Sequence, residues 1–317
     1  MGNENLLSFL RGGGHLFNKS ERSEPENQTF EPMELAINKS TCIKCRKCIR
    51  VCPAAIFYQE EPKADISLRN VDFCIRCGHC VAVCPTESVE HSDFPAEKVH
   101  PIDTSLLPSP ESLLLLIRTR RSNRGFSKKP VPQPLLDTIL EAAHRAPTAS
   151  NRQETGYICV TAPEILRKIA DYTIDSFAGA IKMLKNPLLK PILKPIMPGN
   201  YKMLRRLERL LKEHVKGNDP ILRHATAVIL IYTPAENRFG RDDANLAYQN
   251  GSLMAESLGV AQFYTGYVCT AIRHDKKNDL ARMLGIEGII HAGMALGMPD
   301  FTYPNYIDRK EISVKKI

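Results

Sequence analysis

Eight of the ten cysteines in this 317-residue chain fall into two copies of one pattern. Cys42-x-x-Cys45-x-x-Cys48-x-x-x-Cys52-Pro53 recurs 32 residues later as Cys74-x-x-Cys77-x-x-Cys80-x-x-x-Cys84-Pro85, cysteine onto cysteine. Thiolates at this spacing ligate 4Fe-4S cubanes, and cubanes move electrons. Structural zinc and disulfides use the same residue type but fit less well. Zinc favours two separated pairs around a tetrahedral point. Disulfides need an oxidising compartment, and the chain does not open with a charged segment, a long apolar stretch and a cleavage site, so a reducing cytoplasm is the expectation. The longest apolar stretch, Leu113 to Ile117, ends at Arg118, far short of the ~20 residues of a membrane helix.

The doubled run resembles the ligand run of bacterial two-cluster ferredoxins. That resemblance implies two 4Fe-4S clusters held by crossed sets, because a short loop wraps only three corners of a cube. Cys42, Cys45, Cys48 and Cys84 are expected to hold one cluster, and Cys74, Cys77, Cys80 and Cys52 the other.

A second chemical signal is Arg120-Arg121-Ser122-Asn123-Arg124-Gly125-Phe126. Three guanidiniums and a hydroxyl in one turn can clamp a phosphate. A helix C-terminus whose arginines offset the dipole and face water is the better reading from these residues alone. No G-x-G-x-x-G stretch occurs, so a separate dinucleotide-binding domain is not expected.

These groups need elements to position them. The length suits two or three domains, and the cysteine repeat occupies too little of the chain to account for the rest. We expect an N-terminal arm over 1–33, a ferredoxin-like cluster domain over 34–92, a proline-rich linker over 93–111 with Pro95, Pro101, Pro108 and Pro110, and a globular domain over 112–317. Within the last, Leu135, Leu136, Ile139, Leu140 and Ala143 predict an amphipathic helix ending before Pro147. Tyr157 to Thr161, Ala225 to Tyr232 and Ile289 to Leu296 predict strands. A helix is expected from about Asp242 to Ser257 with an apolar stripe of Leu246, Leu253, Met254 and Leu258, and another over Arg273 to Leu284. Helices and strands do not alternate regularly, which predicts an α+β sheet with helices packed on it. Cys159 and Cys269 read as buried structural thiols in strand-like settings, and His144 and His274 as solvated or capping groups on helix ends.

The arginine turn followed by Ala146-Pro147-Thr148-Ala149-Ser150-Asn151-Arg152-Gln153 resembles the paired signature of the nitroreductase family. The likeness continues through Asp243-x-x-Leu246-Ala247-x-Gln249-Asn250, through Leu258 to Tyr267 and through Ala295-Leu296-Gly297-Met298-Pro299. It covers roughly residues 112 to 317 and, with the cluster repeat ahead of it, is similar to ferredoxin-nitroreductase fusions. The resemblance implies an FMN-dependent homodimer with a nitroreductase-like sheet flanked by helices. It implies that Arg120, Arg121 and Ser122 hold the FMN phosphate or ribityl chain and that Arg124 faces flavin N1 and O2. Pro147, Thr148, Ala149, Ser150 and Asn151 would reach the flavin from the other subunit, and Thr265 and Gly266 would pass its N5 and O4 edge. Arg309 and Lys310 match the basic pair on the phosphate, although Tyr306-Ile307-Asp308 departs from the usual pattern. The flavin carries the chemistry, so no protein residue is assigned as catalytic.

The net charge of +8 is concentrated: from Lys182 to Lys216 ten Lys or Arg face only Glu208 and Glu213, a local excess of eight. No zinc finger, helix-turn-helix or aromatic ribonucleoprotein signature accompanies it, and nucleic acid is not an expected partner. The proline-interrupted run from Lys185 to Pro198 cannot be one helix. The resemblance implies that the insertion over 177–217 covers the flavin as a lid. Docking of an acidic carrier, contact with a membrane surface through 182–216, and a solvated scaffold face stay open. The expected function is passage of electrons from a reduced ferredoxin or NAD(P)H through two clusters to FMN and a small acceptor of nitroaromatic, quinone or enone type. A relay module serving a partner protein is the alternative. The physiological substrate, the donor and the direction of flow are not written in these residues.

Overall fold

The computed structural model describes residues 33–317; apart from Met33, the arm expected over 1–33 lies outside the described residues. The chain forms two compact units, one of the described residues up to Leu107 together with Ser150–Arg152, the other of Pro108–Ala149 and Gln153–Ile317.

The first unit is built of β1 (Leu35–Ile37), α1 (Lys47–Val51), β2 (Phe57–Tyr58), β3 (Ser67–Leu68), α2 (His79–Ala82) and β4 (Val89–His91). β1 pairs antiparallel with β4, and β2 with β3. Its apolar core is small, with Ile56, Phe57, Ile66 and Val89 beside Cys48 and Cys80. The sequence repeat is also a backbone repeat. Lys44, Arg46 and Ala55 have φ of 56°, 63° and 51°, and 32 residues later Arg76, Gly78 and Glu87 have φ of 50°, 70° and 51°. Five of these six are not glycine, and each such residue costs about 1 kcal/mol or more. Left-handed residues spaced among right-handed or extended ones turn successive N–H groups toward one concave side, the arrangement that favours an anionic group.

The second unit opens with α3 (Pro110–Thr119), started by Ser109, whose hydroxyl accepts the Ser112 N–H, and by Pro110 at the first helical position. It continues through α4 (Gln133–His144), β5 (Gly156–Val160), α5 (Pro163–Lys185), α6 (Lys190–Ile196), α7 (Pro198–Val215), β6 (Ala227–Thr233), α8 (Gly240–Ser257), β7 (Ala261–Tyr264), α9 (Gly266–His274), α10 (Asp279–Met283) and β8 (Ile289–Gly297). The four strands run in the order β5-β6-β8-β7, every neighbouring pair antiparallel. Alternation along β6 splits the core. Val228 and Leu230 face a cluster with Leu166, Ile169 and Phe177 of α5 and Leu207 and Leu210 of α7. Ala227, Ile229 and Ile231 face Leu136 and Ile139 of α4 and Ala244, Ala247 and Ala255 of α8. A sheet apolar on both faces needs helices on both, which is the α+β architecture expected.

Three sequence expectations need correction. The buried stripe of α8 is Ala244, Ala247, Gly251, Ser252 and Ala255, while Leu246 is 46% exposed. Small residues let the helix lie close, and a Cβ on Gly251 would already sit 3.2 Å from Met294 Cε. The helix expected over Arg273 to Leu284 is broken between α9 and α10. The Asp275 carboxylate accepts the N–H of Lys277 and Asp279 and the Tyr172 hydroxyl, and Asn278 turns left-handed at φ 54°. Cys269 lies in a helix, α9, although it is buried as expected. The proline-rich run does divide, giving α6 and α7 with Pro191 and Pro198 in first turns and Pro195 inside the short α6.

Ile229→Ala removes a side chain that fills the space between the sheet, α4 and α8. It should cost about 2–5 kcal/mol, seen as a lowered urea midpoint by far-UV circular dichroism. A loss below about 1 kcal/mol would show that this layer can collapse around the void.

Candidate functional site

The eight repeated cysteines sort into two groups around two small cavities. Cys42, Cys45, Cys48 and Cys84 line the first. Cys52, Cys74, Cys77 and Cys80 line the second. Each quartet lines a space, and among the described residues no three His, Cys, Asp or Glu side chains are placed to hold a single metal ion. Such a quartet could hold a cubane, whose irons are separate corners.

Backbone donors reach the sulfurs: Ile56 N–H to Cys52 Sγ at 3.4 Å, Arg76 N–H to Cys74 Sγ at 3.4 Å and Ser88 N–H to Cys84 Sγ at 3.2 Å. His91 Nε2 lies 3.8 Å from Cys74 Sγ. Burial pushes the Cys80 thiol up to about 11 and raises Cys48 and Cys74 as well. Burial also pushes Cys84 up, but the N–H groups of Thr86, Ser88 and Val89 and the Thr86 hydroxyl outweigh it and hold that thiol below its ordinary value. Thiols raised by burial must lose protons to bind iron, so cation binding here is coupled to proton release.

In the second unit, Arg120 caps the C-terminus of α3 and the chain then runs extended. Three contacts hold the turn. Phe126 bridges to Pro299, the Ser127 N–H bonds Met298 O, and the Asp300 N–H bonds Gly125 O. Gly125 is required there, since a Cβ would come within 2.4 Å of the Phe301 ring. Gln262 of β7, fully buried, donates from its amide to Arg121 O at 3.3 Å and Ser252 Oγ at 3.1 Å, and accepts the Tyr248 hydroxyl at 3.1 Å. Glu256, in the last turn of α8, lies near the Arg121 N–H and the Thr119 hydroxyl, which donates to Leu116 O at 3.1 Å. Burial keeps its carboxyl above the usual range despite those groups and the nearby Arg120 and Arg121 charges.

Arg121 turns toward the C-terminal segment, donating to Asn305 O at 3.1 Å with its guanidinium 4.2 Å from the Tyr303 ring centroid. Arg124 lies 5.4 Å over the Phe263 ring. Both Arg120 and Arg124 act on half-buried Tyr248: burial raises that phenol and the two cations oppose the rise. Neither forms a salt bridge with a carboxylate among the described residues. Two guanidiniums and the Ser122 hydroxyl in one turn are a donor set that fits a phosphate dianion.

The other residues singled out from sequence are placed differently. Ala149 N–H bonds Asp243 Oδ1 at 3.0 Å, and Asp243 Oδ2 is buried without a partner. Thr148 Oγ1 accepts the Gln153 N–H at 3.0 Å, and Ser150 and Asn151 are left-handed. The Asn151 amide, clustering with the first unit, donates to Ile75 O at 3.2 Å and Arg76 O at 2.8 Å, inside the Cys74–Cys77 loop. Thr265 is buried, its N–H on Gly293 O and its hydroxyl 3.7 Å from Cys269 Sγ. Its side chain faces inward. Arg309 and Lys310 sit in an exposed tail with no regular structure.

Sequence reasoning gave no role to Glu256, Gln262, Tyr248 or Asn123, whose carboxamide accepts the Gly125 N–H at 3.0 Å. A signal existed for Glu256: an acid in the last turn of a helix opposes the dipole, so it needs another reason to be there.

Residues 117–298 match the nitroreductase family, and residues 34–85 match the 4Fe-4S dicluster domain. Among solved structures, the chain is 22% identical to a nitroreductase with bound FMN from Desulfitobacterium hafniense DCB-2, over 64% of this chain and 98% of that one, with a TM-score of 0.49. It is 18% identical to a nitroreductase with bound FMN from Bacteroides fragilis NCTC 9343, over 64% and 98%, with a TM-score of 0.46. It is also 18% identical to an FMN-dependent nitroreductase from Clostridium difficile R20291, again over 64% and 98%, with a TM-score of 0.44.

Gln262→Leu leaves the Arg121 carbonyl and the Tyr248 hydroxyl without their partner. The expected cost is about 1–3 kcal/mol, read from the urea midpoint. An unchanged midpoint would mean that water replaces the amide at no cost and that Gln262 does not hold the turn.

Proposed function

Since the chain belongs to the nitroreductase family and carries a 4Fe-4S dicluster domain ahead of the family region, we propose that this FMN-dependent oxidoreductase takes electrons from a reduced one-electron donor and delivers them to a small organic acceptor. When bound, two 4Fe-4S clusters would pass electrons singly and FMN would collect them in pairs for an acceptor of nitroaromatic, quinone or enone type. The observation that carries this reading is the sorting of eight thiols, four and four, around two cavities in crossed sets. Of the eight, Cys45 alone is exposed, which brings the first quartet to the surface of its unit, where a donor such as a reduced ferredoxin can approach. A donor that gives hydride in one step would have no need of the quartets.

In this reading Arg120 and Ser122 bind the FMN phosphate, and Arg121 supports them from the C-terminal segment. Arg124 keeps a cation beside the N1 and O2 edge, stabilising negative charge that develops there. The backbone of Thr265 and Gly266 lies along the N5 and O4 edge. The Pro147 to Asn151 loop, with Arg309 and Lys310, completes the site in a homodimer. The exposed apolar residues of α3, Leu113, Leu114, Leu115 and Ile117, on a helix with no buried side chain, support such a partner. A monomer with full FMN occupancy in sedimentation would contradict the shared site.

Arg124→Ala should lower the flavin potential by tens of millivolts while changing FMN affinity little. Arg120→Ala should weaken FMN binding by about tenfold or more with a smaller change in potential. Potentiometric and fluorescence titrations measure the two quantities, and equal effects on both would reverse or merge the roles.

The donor assignment is tested with the full-length Cys77→Ala variant under anaerobic conditions. Acceptor reduction driven by reduced ferredoxin should fall at least tenfold, while reduction driven by dithionite persists. Undiminished ferredoxin-driven turnover would remove the second quartet from the input route.

A further inference from the structure

Between Asp175 and Glu208 the chain has no acidic residue and seven basic ones, Lys182, Lys185, Lys190, Lys194, Lys202, Arg205 and Arg206. This stretch folds as the end of α5, the short α6 and the start of α7. α6 has no buried residue. One flank shows aliphatic side chains four residues apart: Leu188, Ile192 and Ile196 are 82%, 59% and 71% exposed. The other flank shows Lys190 and Lys194, also four apart and exposed.

α7 continues the surface. Leu204, Leu207, Leu210 and Leu211 pack it against α5, and on the opposite side Lys202, Arg205, Arg209 and Lys212 are exposed and form no salt bridge among the described residues. Glu208, paired with Lys185, also lies near Lys212 and Arg205, and Glu213 near Arg209, so these two acids offset only part of the charge of this face.

We propose that α6 and the cationic side of α7 form a peripheral docking surface for an anionic lipid bilayer. Aliphatic side chains inserted at the headgroup boundary and lysines set beside anionic phosphates are the two contributions that hold an interfacial helix on a membrane. No helix of the described residues is long and apolar enough to cross one, so the contact lies on the surface. The composition distinguishes this face from a protein-binding patch. Cores of protein interfaces are depleted in lysine and enriched in aromatic residues, whereas this stretch has five lysines and two aromatics, neither offered to a partner: Phe177 is buried in the core and the Tyr201 hydroxyl is already bonded to Leu184 O at 2.9 Å.

The test is flotation of the full-length holoprotein with phosphatidylcholine vesicles, with and without about one-third phosphatidylglycerol, at low and high salt. The proposal predicts binding only to the anionic vesicles and release by salt. Lys190→Glu with Lys194→Glu should weaken binding at least about 25-fold, since each cation near such a surface is worth roughly fivefold. Ile192→Ser with Ile196→Ser should weaken it about tenfold or more with its salt dependence kept. All four side chains are exposed, and unchanged circular dichroism and thermal midpoints would show both variants folded. Failure to bind anionic vesicles at low salt would overturn the proposal, as would wild-type binding by both variants. Salt-sensitive capture of an acidic ferredoxin through Lys190 and Lys194, without vesicle binding, would assign the face to a protein carrier and overturn it too.

Discussion

A loop that runs from Cys42 to Cys48 can set three thiols around a cubic space, but the chain must leave before it can supply a fourth. Each quartet therefore has to borrow from the other half of the repeat. Cys84 completes the cavity of the first loop and Cys52 that of the second. Neither half can be finished alone. The small apolar core, the short strand pairs and the repeated left-handed residues at Lys44, Arg46 and Ala55 and at Arg76, Gly78 and Glu87 all follow from bringing two such loops face to face. In a unit with so little apolar burial, desolvation disfavours the free thiolates of Cys48, Cys74 and Cys80, so binding of a cationic group there is coupled to loss of their protons.

The second unit solves the opposite electrostatic problem. Arg120, Arg121 and Arg124 are brought together near one sheet edge without a carboxylate partner for Arg120 or Arg124. Their backbone is fixed by Gln262 and by the segment from Met298 to Phe301, beside Glu256, whose carboxyl is raised by burial. Holding the turn by its main chain leaves Arg120 and Arg124 without a salt bridge among the described residues. A salt bridge to either one would have stabilised the turn at the expense of the site.

The cysteine spacing, the amphipathic pattern of α4 and the β-branched runs of β5, β6 and β8 were legible because each encodes a local rule: loop reach, a 3.6-residue period, a buried strand. The core face of α8 was not. Its leucines suggested a stripe, yet the sheet and α4 approach so closely that only Ala244, Ala247, Gly251, Ser252 and Ala255 fit. The break between α9 and α10 depends on Asp275 meeting Tyr172, a contact 103 residues away in sequence. In the candidate site the arginines could be found as a charged turn. Gln262 and Tyr248 looked like ordinary strand and helix residues because their roles arise from pairing across α8 and β7. The engagement of Asn151 with the Ile75 and Arg76 carbonyls was likewise beyond sequence pattern, since it pairs residues 75 and 76 positions apart.

Crossed ligation is the claim from which the electron-transfer reading grows, and Cys52→Ala tests it most directly. Cys52 lies in the first motif but lines the cavity of Cys74, Cys77 and Cys80. Anaerobic iron and sulfide analysis with electron paramagnetic resonance should find about eight iron and eight sulfide per wild-type chain. In the variant, the lost or altered signal should match that of Cys77→Ala and differ from that of Cys45→Ala. A Cys52→Ala spectrum that instead matches Cys45→Ala, or a fully loaded wild-type protein containing zinc and no sulfide, would contradict the account.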